Sequence, residues 1–222
     1  MADDGAVIDD AGEVFDAVMD GDAAYEEGRL DEARACYERA LAVSDSYADV
    51  PVSRLAVLAR EMGDYPTARA MLARLGDGPE NLNDRGTVAF AEGDLAAAED
   101  VWLRASEGGC ADALFNLALL AEERGDRAGE VRWLLAAAGA GVTKALVNLG
   151  FIAHREGELD RAISWYRRAL EHHPEMAAFN LGVIYRDLGE IDTARDWFLQ
   201  AAEAFNVSAL EELEALDDDE DE

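Results

Sequence analysis

Residues 145–150 read Ala-Leu-Val-Asn-Leu-Gly, and residues 157–170 read Gly-Glu-Leu-Asp-Arg-Ala-Ile-Ser-Trp-Tyr-Arg-Arg-Ala-Leu. Around the first stretch, Leu146, Leu149, Gly150, Ile152 and Ala153 recur at spacings of mostly three and four; in the second, Ala162, Ile163, Tyr166 and Ala169 do the same. This is helical periodicity and predicts two helices, over 143–156 and 159–170. Gly157 lies between them, where a left-handed backbone lets the chain reverse without a Cβ clash. The small residues Gly150 and Ala162 let the two helices approach closely, and Tyr166 is placed to fill the space to the next pair.

The same arrangement extends outward in both directions. Glycines at 28, 63, 93, 125, 157 and 189 are followed five residues later by Ala33, Ala68, Ala98, Glu130, Ala162 and Ala194, and nine residues later by Tyr37, Leu72, Trp102, Leu134, Tyr166 and Phe198. Steps of 30 to 35 residues between the glycines are the mark of stacked supersecondary units. Ala209 and Leu213 continue the first-helix spacing, so one more helix without a partner is expected near Ser208, with Ser208 and Glu211 at capping-box spacing. Its glutamates give the wet face expected of a cap on the end of such an array.

These residues resemble the tetratricopeptide repeat, with the shortened spacing of its Sel1-like relatives. The stretches at 113–118, 145–150 and 177–182, and the 157–170 segment followed by Pro174, carry the resemblance most clearly. Glu130 and Leu75 depart from it. The resemblance implies an all-α fold, a right-handed solenoid of helical hairpins with six repeats plus a C-terminal capping helix. The predicted division is an acidic N-terminal segment at 1–13, six repeats at 14–206, a capping helix at 207–214 and a disordered acidic tail at 215–222.

Net charge is −30 over 222 residues, but residues 1–22 and 206–222 carry 17 acids and no base, so the repeats are only moderately acidic. The run from Asp217 to Glu222 repels itself and holds no apolar residue, the composition of a disordered segment. Direct nucleic-acid binding would need clustered Lys and Arg, which the chain lacks. Nothing approaches the run of about 20 apolar residues that spans a bilayer, and the start lacks the pattern of a secretion signal. A cytoplasmic protein is therefore expected, with Cys36 and Cys110 as buried fillers on second helices. Nineteen bases include one lysine, Lys144, which fits either coding bias or salt adaptation.

Catalytic, cofactor and metal readings find no constellation. Residues 139–144 superficially resemble a phosphate-binding loop, but the Gly-Lys pair is interrupted and the segment follows a helix. His172 and His173 are adjacent, and neighbouring histidines point apart. The resemblance instead implies a binding scaffold whose first helices line a concave face. Phase places Asn116, Asn148 and Asn180 there, near Lys144, His154, Arg155 and Arg186, and an asparagine row offers donors and acceptors to a peptide backbone. Asn116 and Lys144 match two of the five positions of the family's carboxylate clamp; Asn83, Thr87 and Asn148 do not match the other three. Expected partners are a protein or peptide, basic if the groove's acid selects it, entering as a helix or extended segment. The alternative is an acidic decoy occupying the basic surface of a nucleic-acid-binding protein. Trp133, Trp165 and Trp197, eight residues after their glycines, are expected to pack between second helices.

Overall fold

The computed structural model describes residues 4–220, with side chains from 10 to 217. Thirteen α-helices and no strand occur among the described residues: α1 (Asp4–Glu26), α2 (Leu30–Val43), α3 (Asp49–Glu61), α4 (Tyr65–Leu72), α5 (Pro79–Ala91), α6 (Leu95–Glu107), α7 (Ala111–Glu123), α8 (Arg127–Gly139), α9 (Lys144–Arg155), α10 (Leu159–Ala169), α11 (Pro174–Asp187), α12 (Ile191–Glu203) and α13 (Ser208–Glu220). Odd and even helices pair as six hairpins. The chain forms two compact units, Met1–Cys110 and Ala111–Glu222. Three hairpins build the first; three more and α13 build the second.

Each hairpin turns on one of the six recurring glycines, all with φ between 70° and 83°. In three hairpins an aspartate follows, and its side chain accepts the first-turn amide of the second helix: Asp64 from Thr67, Asp94 from Ala97 and Asp126 from Gly129, at 3.2, 3.0 and 2.9 Å. Glycine thus ends one helix and aspartate caps the next. Unequal spacing is absorbed locally. The long step from Gly28 to Gly63 accommodates a 3-10 turn, Asp45–Tyr47, and the short step to Gly93 leaves α4 with 8 residues.

Close packing inside the hairpins follows a size rule. Seven residues before each turn glycine the first helix carries Gly21, Ala56, Gly86, Ala118, Gly150 or Gly182. The aromatic members of the bulky row lie on the glycines: a Cβ at Gly21, Gly86, Gly150 or Gly182 would come within 2.4, 2.5, 2.6 and 2.6 Å of the ring of Tyr37, Trp102, Tyr166 and Phe198 respectively. Where the row has Leu72 or Leu134, alanine suffices at the facing position. Tyr166 therefore fills its own hairpin first, and it also reaches the core shared with Leu181 and Ile184 of the next.

Polar ends of this row are treated differently. The Tyr37 hydroxyl donates to Asp22 Oδ1 at 2.8 Å and Trp102 Nε1 donates to the Asn83 carbonyl at 3.0 Å, whereas the Tyr166 hydroxyl is buried with no hydrogen-bond partner. Burial pushes its pKa up. A buried, unpaired hydroxyl costs about 1–3 kcal/mol. Tyr166→Phe, which copies Phe198, is expected to raise stability by about 1 kcal/mol in urea unfolding; a lower midpoint would show that the hydroxyl is satisfied.

Glu130, the exception among the small residues, is buried, and Arg127 holds its carboxylate at 2.8 Å while also reaching Glu156 at 2.9 Å. Trp133, Trp165 and Trp197 are half-buried and join the cores of successive hairpins, as their phase predicted.

Three expectations need revision. The last helix runs on to Glu220 instead of ending at 214, because Leu216 is buried with Ala209 against Phe198 and Ala201; the tail residues 221 and 222, like residues 1–3 of the N-terminal segment, lie outside the described residues. The side chain accepting a first-turn amide of α13 belongs to Asn206, which receives Ala209 N at 3.3 Å; Ser208 already lies in the helix. Cys110 is not on a second helix but in the turn after α6, where it is buried, as is Cys36 on α2; both thiols are free.

Candidate functional site

In the second unit the first helices of the hairpins, α7, α9 and α11, carry Asn116, Asn148 and Asn180, each nine residues before its turn glycine and each half-buried. The Asn180 side chain donates to the Met176 carbonyl of its own helix at 2.8 Å. One turn after Asn148, Phe151 is 51% exposed, with the Arg155 guanidinium 5.6 Å from its ring centroid. His154 beside it is half-buried.

The two remaining cations are committed elsewhere. Lys144 Nζ lies 3.3 Å from Asp112 Oδ1 and 4.4 Å from the Phe115 ring centroid, tying the start of α9 to the first turn of α7. Arg186 holds Glu212 of α13 and Asp187. Burial pulls its pKa down, but the hydrogen bonds to both carboxylates outweigh that and raise it. Counted from their turn glycines, Lys144 and Arg186 are 10 residues out of phase, about 15 Å along a helix. The asparagines thus share one register position on three first helices, with Phe151 and Arg155 following Asn148 on α9, and the charges do not converge on a single terminal carboxylate.

In the first unit, the same register position carries Met19, Arg54 and Asp84. Arg54 makes a bidentate pair with Asp22, Nε to Oδ1 at 2.9 Å and Nη2 to Oδ2 at 3.1 Å. Asp22 also accepts from Tyr37. The pair borders a cavity of about 240 Å³ lined by Asp22, Tyr25, Glu26, Tyr37, Arg54 and Val57. Burial raises the Asp84 carboxyl, opposed by Arg60. This charged stretch went unread in the sequence, although its register was available: the position that is amide throughout the second unit is ionic in two of the three hairpins of the first.

No group of three or more His, Cys, Asp or Glu side chains is arranged to hold a metal ion among the described residues. His172 is 4.0 Å from Glu171, while His173 Nε2 meets Thr143 Oγ1 at 3.0 Å. Residues 139–144 end α8 and turn into α9 through Gly141 at φ 94°. None of the described helices is long and apolar enough to cross a membrane.

Models of the tetratricopeptide repeat match residues 141–206, 18–52 and 51–74. The chain is a tetratricopeptide-type repeat protein. Comparison with curated proteins gives no match. Among solved structures, Pseudomonas aeruginosa PilF is 15% identical, with 93% of this chain and 98% of that one covered at a TM-score of 0.66. PilW, described as a type IV pilus biogenesis factor, is 16% identical over 91% of this chain and 97% of that one, at 0.65. The antigen c5321 of uropathogenic Escherichia coli, described as displaying an SLR fold, is 24% identical over 91% of this repeat protein and 48% of its own length, at 0.59. These likenesses establish a shared fold of stacked helical hairpins.

Proposed function

We propose that this repeat protein is a non-catalytic scaffold that binds a segment of a partner protein on the face formed by α7, α9 and α11. Tetratricopeptide-type repeats act in general as protein-interaction scaffolds, and the specific support here is the repeated placement of Asn116, Asn148 and Asn180 at one register beside a half-exposed Phe151. Carboxamides donate and accept at once, which suits a polypeptide backbone, and an exposed aromatic gives such a row an apolar anchor. Lys144 and Arg186 act as braces, through Asp112 and Glu212, while Arg155 stays beside the anchor. The net charge of −30 favours a basic segment, with binding that weakens as salt rises.

Affinity recovery from native lysate, with the wild-type chain and with Asn148→Ala/Asn180→Ala, tests the assignment. Both positions are only half-buried, so the double variant is expected to stay folded, and at least one protein recovered by the wild type is expected to be lost with it. Identical recovery by the two would remove the face from the mechanism.

A further inference from the structure

Three turns that follow second helices close in the same way. After α6, the amides of Gly109 and Cys110 donate to the carbonyls of Ser106 and Ala105; after α8, Gly141 and Val142 donate to Ala138 and Ala137; after α12, Phe205 and Asn206 donate to Ala202 and Ala201, all at 2.9–3.3 Å. The first residue of each pair has positive φ, 99° at Gly109, 94° at Gly141 and 68° at Phe205. Glycine adopts that conformation freely, whereas a side chain crowds the neighbouring carbonyl. Among the described residues, Phe205 alone breaks the rule.

Packing does not account for the exception. The Phe205 side chain is 93% exposed. Its neighbour locks the turn: Asn206 Nδ2 donates to the Glu175 carbonyl at 2.8 Å and its Oδ1 accepts from Ala209 N at 3.3 Å. Val207 and Leu210, just beyond, are 73% and 52% exposed. A large apolar side chain is thus held outward on a disfavoured backbone by a well-bonded turn, the pattern of strain kept for function.

Charge identifies the occupant. Residues 196–222 contain no Lys or Arg, Glu203, Glu211 and Glu214 are exposed around the turn, and Arg195, the last base, pairs with Asp217. A second copy would bring the same carboxylates against these, and an anionic bilayer would be repelled likewise. We propose that Phe205, with Val207 and Leu210, anchors a docking surface for a partner protein that presents an apolar helix face bordered by Lys or Arg. This surface lies on the α12–α13 turn and does not depend on the asparagine face.

The test uses the full chain as wild type, Phe205→Gly and Phe205→Ala. Glycine relieves the backbone and should raise the thermal midpoint by about 2–4 °C, while alanine, which keeps the strain, moves it less. As a binding probe, a fluorescein-labelled amphipathic helical peptide of Leu and Lys is titrated at about 0.15 M salt, with a Leu and Glu peptide of the same pattern as control. Both variants should bind the Leu and Lys peptide at least about fivefold more weakly than wild type. A lower midpoint for Phe205→Gly, equal affinity across the three proteins, equal binding of the Leu and Glu peptide, or self-association of the wild type that Phe205→Gly abolishes would each overturn the proposal.

Discussion

Gly150→Ala is expected to destabilise the protein by about 1–2 kcal/mol, although alanine is the better helix former by about 1 kcal/mol. The new Cβ would stand 2.6 Å from Cε1 and 2.7 Å from Cδ1 of Tyr166, a side chain fully buried between two hairpins and unable to swing aside. Overpacking of this kind costs about 1–3 kcal/mol. Tyr166→Leu alone leaves a void over Gly150 and should cost about 2–4 kcal/mol. The combination Gly150→Ala/Tyr166→Leu reproduces the Ala118–Leu134 pair of the preceding hairpin, so it should be more stable than the sum of the single losses predicts, by about 1–2 kcal/mol of coupling. Urea unfolding of the four proteins measures the cycle. Additive losses would mean that the two helices are not in the register described.

Loss of α13 should be as damaging. Ala209 and Leu216 are buried in the cluster formed by Ala178, Ala194, Phe198 and Ala201, so α13 shields the apolar surface of the α11–α12 hairpin, each unit of a stacked array leaning on its neighbour. Leu216→Ala is expected to cost about 2–3 kcal/mol, and removal of residues 208–222 more than that, with dye binding to the uncovered end. The ion pairs Arg186–Glu212 and Arg195–Asp217 are partly solvated and add less than about 1 kcal/mol each. Removing residues 218–222 alone should leave the thermal midpoint nearly unchanged. A full-length midpoint for the chain lacking 208–222 would deny α13 its role as a cap. The contrast also bears on the acidic ends: a deletion that begins at 215 takes away Leu216 together with the carboxylates, and so confounds charge with stability.

The hairpins were legible because their determinants are local and repeated. A turn glycine, a small residue five later and a bulky one nine later are physical requirements of reversal and close packing, and they recur in phase. The size rule was half visible: Gly150 was readable as a point of close approach, but its pairing with Tyr166 across the hairpin, and of Ala118 with Leu134, depends on which side chains face each other. Leu216 escaped notice because one leucine ahead of six acids gives little periodic signal. The site was less legible. Register aligned the asparagines on three first helices, yet the commitment of Lys144 to Asp112 and of Arg186 to Glu212 arises between helices, where a cation's partner is set by three-dimensional neighbours. The Arg54–Asp22–Tyr37 group was missed for the same reason. Phe205 carried a readable sign, a phenylalanine at the register of Gly109 and Gly141, whose meaning rests on a backbone angle and an exposure that sequence does not supply.

The proposed role of α7, α9 and α11 is to hold a partner protein. Its most direct test is the dissociation constant of a partner recovered with the wild-type chain, measured by calorimetry against wild type and against Asn148→Ala/Asn180→Ala. The double variant is expected to bind at least about tenfold more weakly, equivalent to about 1.4 kcal/mol, with unchanged thermal stability. Equal affinity for both proteins would contradict it.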